Sequence, residues 1–353
     1  MRTGLRLDLL RPDALHPAQR AAWARLQEAE PVFASPFLGP DFAEAVGAVR
    51  DDVWVAAIGD AAAPEAFLAF QRQGRVGLPV GGGLSDCQAL VAAPGWRCEA
   101  AALLRALGLA RLEVTRWRAA GGLAPTGGEV VAAPLVGLGA GFEAYARARR
   151  DAGSQAVVQT LSHARRLERA LGPLRLVPHD PDPAMLARLV GWKRAQYARP
   201  RWGGALDPLA RPWARALLAR VQATQAPGFA GMLSVLWAGE TPVAAHLGLR
   251  ARRLLHWWFP AHDPAHAKLA PGRILLLEVI RHAAETGLAA LDLGAGEEGY
   301  KRRFADAEVT LQAGTIGGVS ALRRASGAAL ALARRAPPVA EWLFRQDWQR
   351  LHR

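Results

Sequence analysis

The sequence predicts an α/β fold of two tandem halves, each a mixed central sheet flanked by helices. Three observations predict it. At 353 residues the chain exceeds one ordinary core and fits two domains of about 150 residues each. Short stretches that alternate apolar and polar residues are interleaved with stretches of helical spacing. The order strand–strand–strand–loop–helix–strand–helix–strand also occurs twice, as a repeat of elements and not of residues.

In the first half, residues 5–9 alternate as a strand, and 16–28 have helical spacing through Ala21, Trp23 and Leu26. Ser35-Pro36-Phe37 reads as a loop, and Pro40 opens a short helix over 40–49. Strands are expected at 53–58, 66–71 and 75–80, the last entering Gly81-Gly82-Gly83. A helix over 96–107 stops at Gly108, and strands at 112–117 and 130–136 flank a glycine-rich loop. The middle is basic and helical, over 141–152 and 155–171, with Gly172-Pro173 as a stop. A strand at 174–177 and helices at 183–198 and 209–225 follow, with a loop at 199–204.

The second half has strands at 232–237, 243–250 and 254–259, with a turn at Gly239-Glu240. A loop over 260–270 leads to a helix at 274–286, a strand at 290–293, a short helix at 300–304 and a strand at 310–316. The expected boundaries are 1–138 for the first half, 139–230 for a helical connection and the start of the second, 231–320 for the half carrying the chemistry, and 321–353 for a basic amphipathic tail.

Composition narrows the setting. The chain is 51% hydrophobic and 21% charged, as in an ordinary globular protein. No apolar run reaches the roughly 20 residues that span a bilayer. The first ten residues mix charge with apolar residues and carry no h-region, so no signal peptide is expected. Cys87 and Cys98 build no disulfide framework and no Cys-x-x-Cys metal spacing, and a reducing cytoplasm is the expected location. The net charge of +13 invites an anionic partner. Only Lys193, Lys268 and Lys301 are lysines, however. An arginine skew beside abundant Ala and Gly reads as coding bias and a generically basic surface. The other reading is recognition of a CoA phosphate, an acidic substrate, a membrane surface or tRNA. No metal set, Walker loop, Rossmann fingerprint or Gly-x-Ser-x-Gly elbow is present.

The segment 256–306 is the most informative. Pro271-Gly272-Arg273-Ile274 opens a helix, whose first N–H groups lack intrahelical partners and suit a pyrophosphate. Gly272 lets an anion approach, and Arg273 adds a fixed charge. An ordinary helix start has the same composition. His246 lies mid-strand, as a core histidine or as a substrate contact or base. Strand alternation sends Trp257 and Trp258 to opposite faces, so one of them at most lines a cleft. Asp86, after the triple glycine, is a cleft residue or a plain turn.

A family resemblance runs through these residues. Ala261-His262-Asp263-Pro264, Ala270-Pro271-Gly272-Arg273-Ile274-Leu275-Leu276, Leu291-Asp292-Leu293-Gly294-Ala295-Gly296 and Tyr300-Lys301-Arg302-Arg303-Phe304 resemble, in order and spacing, the BioF2-like, CelD-type (cellulose-biosynthesis) branch of the GNAT superfamily. Pro242-Val243-Ala244-Ala245, Ser35-Pro36-Phe37 and Ser85-Asp86 extend it more weakly. His262 stands where the family usually has Tyr, and Cys87-Gln88 departs from its pattern after Ser-Asp. The branch is similar to Fem-type aminoacyltransferases, which also pair two GNAT-like halves.

The resemblance implies a tandem GNAT-like fold and transfer of an acyl group from acetyl-CoA or another acyl-CoA, without a metal, to an amine or a sugar hydroxyl, in polysaccharide or cell-envelope biosynthesis. Pro271, Gly272, Arg273 and Ile274 would bind the donor. His246, Trp257, Asp86 and Asp263 would contact the acceptor. Lys301 would stabilise charge at the reacting carbonyl, and Tyr300 would protonate the leaving thiolate. Asp292 would orient them, deprotonate an ammonium, or tie down the glycine turn. Two alternatives remain: aminoacyl-tRNA as donor, and an accessory protein of polysaccharide assembly without turnover. The tail over 322–344 would dock on the protein or touch an anionic membrane.

Overall fold

The computed structural model of the chain describes residues 5–119, 121–198, 207–296 and 299–318. They form two compact units. The first holds the residues up to Val131 and the chain from Thr310; the second runs from Ala132 to Val309.

The first unit begins with β1 (Leu7–Leu10), α1 (Pro17–Ala29), α2 (Pro40–Gly47), β2 (Val53–Asp60) and β3 (Ala63–Gln73). It continues with β4 (Val76–Leu78), β5 (Val91–Ala92), α3 (Ala100–Leu107) and β6 (Arg111–Trp117). Strands β1 to β4 pair antiparallel in sequence order, β6 joins β4 in parallel, and β5 pairs with β3. A capping box between His16 and Gln19, with Pro17 at the first turn, starts α1. Its Trp23 stacks on Phe67 of β3 at 5.2 Å. Gly108, at φ 66°, ends α3 in the left-handed conformation that glycine adopts without strain.

The chain enters the second unit within β7 (Val130–Gly137). There follow α4 (Phe142–Asp151), α5 (Ala156–Leu171), β8 (Leu174–Val177), α6 (Pro183–Tyr197), α7 (Pro212–Ala223), β9 (Gln225–Ala226) and β10 (Phe229–Ala238). Next come β11 (Thr241–Ala251), β12 (Leu254–His262), α8 (Pro271–Glu285), β13 (Ala290–Asp292), α9 (Gly299–Phe304) and β14 (Ala307–Gly317). The strand order in this unit is β7-β13-β12-β11-β10-β8, with β9 on β10. Its pairings are antiparallel except β12 with β13. Ile274, Leu275, Leu277 and Ile280 of α8 join Leu167, Leu236, Leu255 and Leu291 in one apolar core.

The two halves are thus mixed α/β as expected, with differences in detail. Residues 260–270 are not a loop: β12 runs through His262, and 264–269 form a 3-10 helix. Pro260 lies where β13 has ended, an edge setting that tolerates a missing N–H. Helix α3 starts at Ala100, and α7 at Pro212 after a 3-10 turn capped by the Asp207 side chain. Among the described residues between β6 and β7 there is no helix, so the element repeat is complete in the second half only. From Thr310, β14 clusters with the first unit, where Gln312–Gly317 pairs antiparallel with β6. The loop expected at 199–204 and the tail helix at 322–344 lie outside the described residues. No described helix is long and apolar enough to cross a membrane.

Candidate active site

Strands β12 and β13 are parallel for three register pairs, Leu254↔Ala290, Leu255↔Leu291 and His256↔Asp292. There β13 ends, while β12 runs on through residues 257–262. The fork between them is where polar side chains gather. Fully buried His256 brings Nδ1 to 3.3 Å from Asp292 Oδ2. Asp292 Oδ1 accepts the Gly294 N–H at 2.8 Å, and Gly294 has the left-handed φ of 71° that the turn requires. Asp292 therefore ties down the glycine turn, one of the roles expected of it, and also faces His256, a strand residue to which the sequence analysis assigns no role.

The neighbouring β11 supplies His246, also fully buried. The pairs Leu247↔Phe259 and Leu249↔His256 leave Trp257 and Trp258 together opposite Gly248. This is a β-bulge, which sets two residues against one and breaks the simple alternation expected of the tryptophans. The bulge directs the Trp258 N–H to His246 Nε2 at 3.2 Å. The Trp257 ring stacks on His246 with centroids 3.9 Å apart. A Cβ on Gly248 would stand 2.4 Å from His246 Cε1, so only glycine fits beside this ring. Burial, then the nearby His256 and Lys193, hold His246 well below the usual histidine range, so it is neutral. The ring is wholly enclosed, with Nε2 taken by the main chain and Nδ1 buried without a hydrogen-bond partner.

Helix α9 carries Tyr300 and Lys301. The Trp257 indole N–H donates to Tyr300 Oη at 3.4 Å. Lys301 is buried, at 7% exposure. Three contacts anchor the end of α9: Tyr145 Oη donates to the Phe304 carbonyl at 2.7 Å, Ser154 Oγ to the Arg303 carbonyl at 2.8 Å, and Arg149 to the same carbonyl at 3.4 Å. Burial raises the Tyr145 phenol, which keeps its proton and stays a donor. On α6, Lys193 is buried and donates from Nζ to the Pro260 carbonyl at 3.0 Å. Its rarity as one of three lysines was the only signal that could have found it.

At the start of α8, Ala270 takes φ 55° and no side chain caps the helix. The Arg273 and Ile274 N–H groups turn back to the Ala270 carbonyl, and the Ile274 side chain is in the core. Ile274 thus offers nothing to a ligand. Gly272 and Arg273 are partly exposed. Behind them, on α5, the His163 Nδ1 is buried without a hydrogen-bond partner. Burial, Arg273 and Arg166 lower the His163 pKa, so that a neutral imidazole stands near the two arginines.

Two expected acceptor contacts, Asp263 and Asp86, have local partners. Asp263 caps the 3-10 helix, its Oδ1 accepting the Ala265 N–H at 2.9 Å. Asp86 belongs to the first unit, where its Oδ1 is 3.2 Å from Arg116 Nε. Among the described residues no group of three or more His, Cys, Asp or Glu could hold a metal ion.

Comparison with known proteins agrees with this geometry. No curated protein sequence matches the chain. Among solved structures, L-PGS from Bacillus licheniformis aligns with a TM-score of 0.51 at 11% identity, over 96% of this chain and 98% of its own. A C-terminal domain from Agrobacterium fabrum, provisionally described as that of a lysylphosphatidylglycerol synthetase, gives 0.51 at 11% identity over 88% and 95%. A Bacteroides thetaiotaomicron protein of unknown function gives 0.52 at 12% identity over 87% and 99%. At such identities the likeness is one of fold alone. Residues 155–302 match the family model described as an acetyltransferase (GNAT) domain. The segment that holds His246, His256, Trp257, Asp292, Tyr300 and Lys301 is therefore similar to acetyltransferase (GNAT) domains.

Proposed function

We propose that the second unit transfers an acyl group from acyl-CoA to an amine or a sugar hydroxyl by direct attack in a ternary complex. The observation that carries this reading is the fork at His256↔Asp292, with Tyr300 and Lys301 on the helix that follows β13. GNAT domains in general use acyl-CoA donors. The run of β12 past the end of β13 offers a strand edge along which the donor's amide-bearing arm would lie. Gly272, Arg273 and Arg166 would face the CoA phosphates. Lys301 would stabilise the oxyanion and Tyr300 would protonate the departing thiolate. The fork's Asp292 and His256 would take the proton of the acceptor. The motif series supports an acceptor in polysaccharide or cell-envelope biosynthesis, in the manner of the CelD-type branch.

A second donor, aminoacyl-tRNA, is favoured by one observation: Arg147 and Arg150 of α4 and Arg165, Arg166 and Arg169 of α5 are exposed. Thermal shift separates the donors, because a ligand that binds only the folded state raises Tm with its excess over Kd. We expect CoA and acetyl-CoA to raise Tm, and Arg273→Ala to reduce the rise. No shift at millimolar CoA, with a shift on aminoacyl-tRNA, would move the reading to the second donor. No shift with either, nor with an acyl carrier protein, would leave the accessory role. Peripheral contact through 322–344 is tested by co-sedimentation with anionic vesicles, and deletion of 320–353 should abolish it.

A further inference from the structure

We propose that Trp257 is a positioning residue that strengthens Tyr300 as an acid, by donating its indole N–H to the phenol oxygen from a ring clamped by His246. The proposal rests on the acyl-transfer reading for its purpose, while the coupling of the two side chains stands on geometry alone.

The geometry is costly for a plain core. His246 is a wholly buried imidazole, and burying a polar ring is unfavourable beside a leucine of similar size. A bulge interrupts the β11–β12 ladder so that Trp258 N–H can reach His246 Nε2. Gly248 gives up its side chain to make room for the same ring. Together these hold one face of Trp257 against His246, with the edge N–H directed at Tyr300 Oη. A phenylalanine at 257 could still stack on His246 but could not donate.

The chemistry needs that donor. In transfer to an amine, the acceptor nitrogen forms a bond to the acyl carbon, the carbon–sulfur bond breaks, and its electron pair leaves on sulfur. The Tyr300 O–H proton passes to the thiolate, leaving a phenolate. The proton that the acceptor nitrogen releases to the Asp292–His256 pair is then returned to the phenolate, so Tyr300 and the pair end as they began. An unperturbed phenol titrates near about 10 and a thiol near about 8.5. A hydrogen bond donated to the phenolate favours the charged form and narrows that gap. At 3.4 Å the bond is long, and charge developing on the oxygen would tighten it.

The test needs no acceptor. Tyrosinate absorbance of the full chain is titrated for the wild type, Tyr300→Phe and Trp257→Phe. The component missing from Tyr300→Phe should titrate below an ordinary phenol, and move up by about one pH unit in Trp257→Phe. Identical titration in a folded Trp257→Phe overturns the proposal. Should that variant fail to fold, indole N–H resonances of the wild type decide: one must follow the Tyr300 titration and lose that dependence in Tyr300→Phe. If none does, the proposal falls. The CoA thermal shift is read separately. A shift without coupling removes the positioning role alone; coupling without any donor shift overturns the acyl-transfer reading and with it the proposed purpose.

Discussion

His256 Nδ1 and Asp292 Oδ2 lie 3.3 Å apart across the last register pair of β12 and β13, so the point where the strands part is also a histidine–carboxylate pair. Asp292→Asn keeps an oxygen for the Gly294 N–H and removes the charge that faces His256. We expect a folded variant whose Tm falls by a few degrees, and a turnover with amine acceptors lowered about a hundredfold, the lower range for a lost general base. Steady-state rates with a verified acceptor check this. Full turnover in Asp292→Asn would reduce Asp292 to its turn-capping role.

Lys301→Met removes a compact charge and keeps most of the buried stem. If the ammonium acts on the oxyanion, turnover falls about a hundredfold, the scale of one lost oxyanion donor. The CoA-induced rise in Tm should hardly change, since that charge develops only in the transition state. An unchanged rate would make Lys301 a structural residue.

Gly248→Ala should destabilise the second unit by about 2 kcal/mol, in the range of overpacked cores. The new methyl would stand 2.4 Å from His246 Cε1 and 3.0 Å from the His256 carbonyl. The ring cannot swing aside without giving up Trp258 N–H and the Trp257 stack. In a His246→Ala background the same change should cost less, and a double-mutant cycle in urea measures the coupling. Additive effects would mean that the main chain, and not the ring, rejects the methyl.

Stability should fall on acidification through His246. Its folded pKa lies well below the ordinary 6.5, because burial disfavours the cation. Below 6.5 the unfolded chain binds a proton that the folded chain does not, so stability rises with pH in that window and drops as pH falls. The slope for one such group is at most about 1.4 kcal/mol per pH unit. His246→Gln should flatten the Tm profile between pH 6.5 and about 5. A profile as steep as the wild type would assign the loss to other groups.

Local signals were legible where local chemistry decides. The helical spacing of α1, the Gly108 stop of α3 and the hairpin at Gly239 were read from periodicity and turn residues. Asp292, Tyr300 and Lys301 stood out through the motif series that carries the family resemblance, and Lys301 also because lysine is rare in this chain. His256 did not, because its meeting with Asp292 depends on a parallel register across α8, which no local pattern encodes. The bulge at the two tryptophans was not foreseen, for a related reason. A bulge belongs to a pair of strands, and alternation along one strand gives no sign of it. The approach of Arg273 to His163 and Arg166 joins two helices that are far apart in sequence.

The second unit is inserted in the first, since the chain crosses over within β7 and returns within β14. This orders the birth of the protein on the ribosome. Residues 132–309 are continuous, so every strand of that unit from β7 to β13 has been synthesised before Thr310 is made. The first unit must wait: the edge of β6 that takes Gln312–Gly317 stays bare until the chain has been drawn back to it. A bare edge is a template for pairing with another chain. The nascent first unit is thus the vulnerable one, although its sequence is translated first.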